Sequence, residues 1–418
     1  MVRFAPVLVI LLLLGLPRLV DMAFLNAMVL VLIAALYAMG YNLLWGQAGL
    51  ISFGHATYFA FGASCTILMM QAIEKGSSFP TPLLPLAGGV AGFLLGLVAG
   101  WFATIRTGVY FAMITVAITE LVRAIVQRWD SLFGGEAGIA AGRPAWGPFG
   151  LQKLVDVYYF TLVWVVLGVA FLWFLQRSPL GLVIRGVREQ EERVSFLGYD
   201  THALKTLVFA ISAGISGVAG GLLAFTNEST NVTLYEGAYS STVLVNTVIG
   251  GAGVFLGPAV GAALTTLFGY YVANMTVYWL LYMGLLFVVI VLYAPRGLSG
   301  LAVEAMQTLR AGKRLAFPLI LRRGIGAVLL AAGTILLVEI IGAIVAPVYW
   351  ATAKSTGVAW PAVTVFGLAW TPAAPLTMAT IAGLFGLGSL LLRGAAGPAR
   401  RNAAALIGRL TGRAGRAP

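Results

Sequence analysis

The sequence predicts an all-α polytopic membrane protein, on three observations: an apolar composition, a succession of long apolar stretches, and basic residues gathered between and after them. Hydrophobic residues make up 60% of the 418-residue chain and charged ones 10%, against about 25% charged in an ordinary soluble domain. The mean hydropathy is +0.95. No water-soluble fold hides that much apolar surface, whereas a bilayer accepts it in spans of about 20 residues that cross about 30 Å of hydrocarbon. The 52 glycines fit closely packed helices, because in lipid small residues let backbones approach where hydrophobicity supplies no attraction.

In chain order, the N-terminal MVRFAPVLVILLLLGLPRLVD has the charged start and apolar stretch of a signal peptide. It lacks a small-x-small cleavage site and reads as a first, short span. Spans follow at residues 22–45, 56–71, 82–104, 109–127, 157–175, 204–225, 239–249, 256–273 and 278–294, a bundle of about ten transmembrane helices. The stretch 239–249 is too short to cross alone and reads as a half-helix broken by the glycines at 250–253. Irregular backbone at membrane depth is tolerated only where protein or a water-filled path covers it. Two later apolar runs, 324–346 and 373–392, form an extra C-terminal helical hairpin linked by a segment whose one charge is Lys354. The expected division is therefore a transmembrane domain over 1–300, a basic linker over 301–323, the hairpin over 324–392 and a basic tail over 393–418. The linker is either an interfacial amphipathic helix or a plain charged connection.

Loops rich in Arg and Lys stay in the cytoplasm. Residues 176–205, with Arg177, Arg185, Arg188, Arg193 and Lys205, and residues 296–323 then face the cytosol, and 128–156 lies outside. Residues 301–418 carry 12 of the 26 basic side chains and 2 of the 14 acidic ones, ending in Arg400, Arg401, Arg409, Arg413 and Arg416. Beside membrane spans this means contact with anionic membrane lipid rather than with nucleic acid, and it places both termini in the cytoplasm.

Five features stand out of the apolar background. The segment SPLGLVIRGVREQEERVSFLGYD, from Ser178 to Asp200, breaks at Pro179 and Gly181. It continues as a short amphipathic helix through Leu182, Ile184, Val187, Glu191, Val194 and Leu197 to a glycine stop at Gly198. Such a helix either lies in a partner's groove or is a solvated loop that fixes topology. Gly46, Gly49, Gly54 and Gly62 interrupt a helix beside Gln47, Ser52 and His55, which brings free backbone groups and polar side chains together as in a polar path; the alternative for His55 is a hydrogen-bonded structural role. Glu120 is an acid inside a span, a functional candidate by default, with Arg123 three residues on as its ion-pair partner. Glu339 stands in the apolar run of the hairpin without an evident partner. Outside, Gly134, Gly135, Glu136 and Gly138 read as a flexible turn, and Asn227, Glu228, Asn231 and Glu236 as a polar loop. Cys65, the single cysteine, reads as a small buried hydrophobe and excludes an intrachain disulfide.

The sequence contains no G-x-x-x-x-G-K-[ST] phosphate loop, no Cys/His metal cluster and no soluble catalytic stretch, so an enzyme, a resident cofactor and ATP hydrolysis by this chain itself are not expected.

Seven stretches resemble, in order, the permeases of bacterial ABC importers of the branched-chain amino-acid type, the LivH/LivM family, and more its LivM branch. They are GYNLLWGQAGLISFGHATYFAFGA from Gly40, RTGVYFAMITVAITEL from Arg106, GGEAGI from Gly134, the Ser178 segment, LKTLVFAISAGISGVAGGLLA from Leu204, VIGGAGVFLGPAVGAAL from Val248 and LYAPRGL from Leu292. The resemblance implies an ABC importer permease-like bundle in the bacterial inner membrane, paired with a second permease subunit. It further implies two ATP-binding cassette subunits docking on the Ser178 segment through Arg188, Glu189, Glu191, Glu192 and Gly198, and an external solute-binding protein received by the outer loops. The cargo would be a branched-chain or related hydrophobic amino acid, or, as in related permeases, urea or amides. The chain departs from the pattern in two places. The importer consensus sets Glu-Ala-Ala before the glycine, where this chain has Glu192, Arg193 and Val194, and the C-terminal hairpin lies outside the family's usual extent. A self-contained secondary transporter or channel, the other transport class, would need ion-coupling carboxylates within its spans, and in the core only Glu120 qualifies.

Overall fold

The computed structural model describes residues 11–145, 151–310, 317–365 and 368–392. Among these, nine helical stretches are long and apolar enough to cross a membrane, and the fold is all-α and polytopic as the composition requires. Seven of them, Met22–Gln47, Ala56–Glu74, Thr81–Ala103, Val109–Arg128, Leu154–Arg177, Thr201–Asn227 and Trp279–Gln307, follow the apolar runs read from the sequence. The remaining two are the arms of the C-terminal hairpin. The helix count differs from the expected one at two places. The first expected span falls partly outside the described residues. The runs at 239–249 and 256–273 become helices Gly237–Gly250 and Gly257–Val272, of 14 and 16 residues. At about 1.5 Å per residue each falls short of the hydrocarbon thickness.

The described residues fall into two compact units, one within Met1–Leu267 and Arg296–Gly300, the other within Phe268–Pro295 and Leu301–Pro418. In the first, α1 (Met22–Asn42) starts on Asp21, whose side chain accepts the Phe24 N–H at 3.4 Å, and ends in a π-helical turn at Leu43–Gln47. Then come α2 (Ala56–Glu74), α3 (Leu84–Ala103), α4 (Val109–Arg128), α5 (Leu154–Arg177), α6 (Pro179–Phe196), α7 (Thr201–Asn227), α8 (Gly237–Gly250) and α9 (Gly257–Val272).

Helix α7, the most buried of the spans, is the centre of this unit. Its small residues Gly214, Gly217, Gly220 and Gly221 face α2 and α3. At the crossing a Cβ on Gly62 would stand 2.5 Å from the Gly217 Cα, so Gly62 packs two helices together and does not interrupt α2, as its place in the glycine series had suggested. Buried Phe209, Ala213, Leu222 and Phe225 fill the gaps beside this seam.

The described residues of the loops at 128–156 and 227–236 are more ordered than the sequence indicates. Ile139–Ala140 (β1) pairs antiparallel with Ser229–Thr230 (β2), so the glycine turn at 134–138 and the polar loop at 227–236 form one packed structure rather than a flexible turn and a separate loop. Arg143 joins it to α7, donating to the Phe225 and Thr226 carbonyls at 2.9 and 2.6 Å and pairing with Glu228 at 3.1 Å. Tyr235 shares a 2.9 Å hydrogen bond with Ser64 beneath this cap, and burial holds its hydroxyl above the ordinary tyrosine pKa.

The second unit contains α10 (Trp279–Tyr293), α12 (Phe317–Val345), α13 (Pro347–Thr356) and α14 (Pro375–Leu392). Between the units' segments runs α11 (Gly297–Arg310), which occupies the first part of the expected basic linker; residues 311–316 and the basic tail from 393 lie outside the described residues. Helices α12 and α14 pair antiparallel through Gly326 and Gly388, each packed within about 3.1 Å of the other's backbone if given a Cβ. The link between them carries α13 and a two-stranded hairpin, β3 (Val363–Val365) with β4 (Leu368–Trp370). Glu339 has partners after all: it accepts from the Tyr282 hydroxyl at 2.8 Å and from the Thr276 hydroxyl. These partners were out of reach for a reading confined to one helix, because they lie 57 and 63 positions away.

The α2–α7 seam yields a direct expectation. A side chain at Gly220 would run into the Phe59 carbonyl, and overpacking of this kind costs about 1–3 kcal/mol or more. Gly220→Val should lower the thermal unfolding midpoint of the purified protein or abolish its monodisperse recovery, whereas Gly237→Ala, which meets nothing within 4 Å, should leave both unchanged.

Candidate functional site

The span Met22–Gln47 ends in a break whose residues are alternately buried and exposed. After the π-helical turn at Leu43–Gln47 the chain reverses at Gly49, whose φ of +76° suits glycine, and runs without regular structure to His55, where α2 begins. Backbone groups released this way need partners, since an unsatisfied one at membrane depth costs several kcal/mol. They find them on three helices and within the segment itself. Tyr41 of α1 donates its hydroxyl to the Ser52 carbonyl at 2.9 Å. From α4, Thr115 accepts the Phe53 N–H at 3.2 Å, and Thr119 donates to the Gly54 carbonyl at 3.0 Å. Ser240 of α8 accepts the Ala56 N–H at 3.0 Å, and Ser52 accepts the Gly54 N–H at 3.3 Å through its own Oγ.

His55 is fully buried. Ser212 of α7 spends its one hydroxyl proton on the Gly40 carbonyl at 2.7 Å, so at the 3.0 Å contact between Ser212 Oγ and His55 Nε2 the imidazole is the donor. The hydrogen-bond partners thereby select the Nε2–H tautomer. Tyr37, Tyr41, Tyr58 and Phe209 surround the ring, with centroids 5.2 to 6.3 Å away. On the other side of the break, Asn42 Oδ1 and Gln47 Oε1 are buried, and neither has a hydrogen-bond partner among the described residues; the same holds for Tyr37 Oη and His55 Nδ1.

The structure thus brings Gln47, Ser52 and His55 together on one irregular segment. Glu120 is elsewhere: it lies on the outer face of α4 with its side chain 54% exposed, 3.6 Å from Arg123, and not deep in the core as its apolar run suggested. Two open apolar grooves, one lined by Leu97, Trp101 and Leu207 and one by Cys65, Leu83 and Val90, contain none of these four residues.

Helix α6 begins on Ser178, which accepts the Gly181 N–H at 3.2 Å, with Pro179 in the first turn. It kinks at Gln190. Gly181, Ile184, Val187 and Val194 are its buried residues, whereas Leu182 and Leu197 of the expected apolar face are exposed: Leu182 lies two residues from Ile184 and so on the opposite helix face, and Leu197 is the C-cap beyond the last helical residue. The five residues singled out here divide into two groups. Arg188 and Glu191 reach back to the bundle with their charged ends: Arg188, itself an exposed residue, donates to the Gly46 carbonyl, and Glu191 holds the buried Lys205 of α7 at 2.6 Å. Glu189, Glu192 and Gly198 are exposed, beside Phe196 and Leu197, which are 90% and 76% exposed. Gly198 takes φ +88°, and Tyr199 N–H returns to the Val194 carbonyl at 3.4 Å, the closing bond of a glycine C-cap.

Sequence reasoning missed Thr115, Thr119, Ser212, Ser240 and Lys205. A signal was present for three of them: Thr115 with Thr119, and Ser212 with Ser216, repeat a hydroxyl at i, i+4 on otherwise apolar helices, which sets a polar row on one helix face.

Thr119 tests the integrity of the break. Its hydroxyl also receives the Thr57 proton at 2.9 Å, so Thr119→Val leaves the Gly54 carbonyl and the Thr57 hydroxyl short of a partner, at a cost of about 1–3 kcal/mol. The expected result is a lower thermal unfolding midpoint for Thr119→Val and a near wild-type one for Thr119→Ser.

Residues 23–294 match the family described as the permease component of branched-chain amino acid transport systems. The chain is similar to the high-affinity branched-chain amino acid transport system permease protein LivM of Escherichia coli K12, 27% identical over 307 residues that cover 68% of this chain and 71% of that protein. The corresponding LivH of Salmonella typhimurium is 25% identical over 203 residues, 45% of this chain and 65% of that one. The probable LivH permease of Methanocaldococcus jannaschii is 20% identical over 289 residues, 66% and 90% of the two chains. No solved structure matches.

Proposed function

Because the chain belongs to the permease-component family of branched-chain amino acid transport systems, we propose that it is the transmembrane subunit of an ABC importer that moves a branched-chain or related hydrophobic amino acid inward. Transport is driven by ATP hydrolysis on partner ATP-binding cassette subunits, and the chain works beside a second permease subunit in the bacterial inner membrane. An external binding protein delivers the cargo to the capped outer loops around β1 and β2. The loop that holds α6, rich in Arg and Lys, faces the cytosol.

The observation that carries this reading is the division of α6 into two faces. Its inner face is fastened to the bundle by Arg188, Glu191 and the buried Ile184, Val187 and Val194. Its outer end offers exposed Phe196, Leu197 and Tyr199 beside Glu189 and Glu192. An apolar knob with a rim of mixed charge on a firmly held helix is what a partner groove needs in order to push on the bundle rather than bend a loop. The glycine cap at Gly198 turns the chain back into α7, so a displacement of α6 is passed on to the most buried helix.

Within the bundle the irregular segment from Gly46 to His55 supplies the polar stretch of the path, with Gln47 and Ser52 nearest to it. Sealed among four aromatic rings, His55 contributes by holding α7 to the break rather than by touching cargo. Glu120, exposed on α4, is available to the face where the second permease would pack.

The docking surface is tested by affinity capture of the tagged chain from membranes containing its ATPase partners. Phe196→Asp combined with Leu197→Asp should cut ATPase recovery at least about tenfold, the usual consequence of losing central apolar anchors, with unchanged amounts of permease in the membrane. Undiminished recovery would remove α6 as the docking element.

A further inference from the structure

We infer that Arg188 is the positioning residue that ties α6 to the break in the first span: its guanidinium caps the broken end of the helix, so that the break and the partner-facing helix move together. This inference rests on the permease reading for its consequence but not for its geometry.

The cap follows from the way the helix ends. Past the π-helical turn, the Gly49 N–H returns to the Trp45 carbonyl and the Leu50 N–H to the Leu44 carbonyl, both at 3.1 Å. The chain then leaves the helix axis at Gly49, and no backbone N–H among the described residues reaches the Gly46 carbonyl. The guanidinium of Arg188 supplies that donor. Such a carbonyl lies at the negative end of a helix more than twenty residues long, where a fixed cation is favoured and a charged donor makes a stronger bond than a neutral one.

The rest of the contact is built around the same side chain. A Cβ at Gly49 would stand 2.9 Å from Arg188 Cγ, so the glycine leaves room for the arginine stem to lie against the turn. Gly46 has room for no side chain either: one would collide with Asn42 Oδ1 and approach the Ala252 carbonyl, in the turn between α8 and α9, to 2.8 Å. Three irregular or kinked segments therefore meet at one carbonyl: the π-helical end of the first span, the α8–α9 turn and α6 just before its kink at Gln190. One turn further along α6, Glu191 grips Lys205 at 2.6 Å, which fixes α6 to α7 from the other side. A shift of α6 cannot leave the Gly46 turn in place unless the Arg188 bond breaks and strands a carbonyl inside the bundle. Arg188 is an exposed residue, but its guanidinium is engaged by the Gly46 carbonyl rather than held out toward a partner.

Two measurements on the full-length protein separate this role from docking and from plain stability. In the purified chain, Arg188→Ala should speed amide hydrogen exchange over residues 49–56 by at least about tenfold, as expected when a charged hydrogen bond to a buried carbonyl is lost. Exchange in the centre of α7 should stay as in wild type, and Arg188→Lys, which keeps a cationic donor, should lie between. In vesicles carrying the complex with its ATPase subunits, Arg188→Ala should keep ATPase recovery within about twofold and reduce leucine moved per ATP hydrolysed by about tenfold. Unchanged exchange over 49–56 overturns the cap. Loss of ATPase recovery to the level of the Phe196→Asp, Leu197→Asp variant makes Arg188 a docking residue and overturns the assignment, as does an unchanged transport ratio. A wild-type chain that captures no ATPase contradicts the permease reading alone, and the exchange arm still decides whether Arg188 holds the break.

Discussion

Backbone polar groups released at membrane depth must be satisfied by the protein itself, and the architecture of this chain is organised around one place where that demand is concentrated. Between Leu43 and His55 the first span gives up helical hydrogen bonding, and five helices answer for it. Tyr41, Thr115, Thr119 and Ser240 supply hydroxyls, Ser212 anchors His55, and Arg188 supplies the one charged donor. These side chains come from five helices, so the break can form only when α1, α4, α6, α7 and α8 are already in register. The irregular segment is thus a product of the whole bundle and not a local defect.

The apolar seam provides that register. Hydrophobicity does little to bring helices together in lipid, and the contact among α2, α3 and α7 is made by backbone approach at Gly62, Gly88, Gly217 and Gly220. Close approach of this kind has one solution, since any side chain at these positions would collide with the opposite backbone. The bundle thus combines a close-packed seam with an irregular polar segment, and discontinuous helices of this kind line the paths of transporters. Helix α6 touches both, through Lys205 on α7 and Gly46 at the break.

The spans, the glycine-broken segments and the existence of a helix in the Ser178 segment were legible in the sequence because each leaves a local mark: an apolar run of a given length, a cluster of glycines, a charged interruption. The positions of the helix ends were legible to within a few residues for the same reason. The pairing of side chains was not. Glu339 seemed alone because its partners, Thr276 and Tyr282, are distant in sequence, and the glycine turn at 134–138 seemed flexible because the strand that pins it begins at Ser229. The apolar face of α6 excludes Leu182, which lies two residues from buried Ile184 and so on the opposite helix face, and Leu197, which caps the helix end. Gly62 was grouped with the helix-breaking glycines although it packs a helix crossing, a distinction that only the opposite Gly217 reveals.

Under the proposed function the polar break is worked by partner subunits, and the bundle does not drive transport alone. Uptake of labelled leucine into sealed vesicles measures this most directly, with the chain reconstituted beside its second permease, its ATPase subunits and the external binding protein. Accumulation that requires ATP on the ATPase side, and that disappears when the ATPase subunits are left out, is the predicted result. Leucine accumulation at the same rate without ATPase subunits would contradict it.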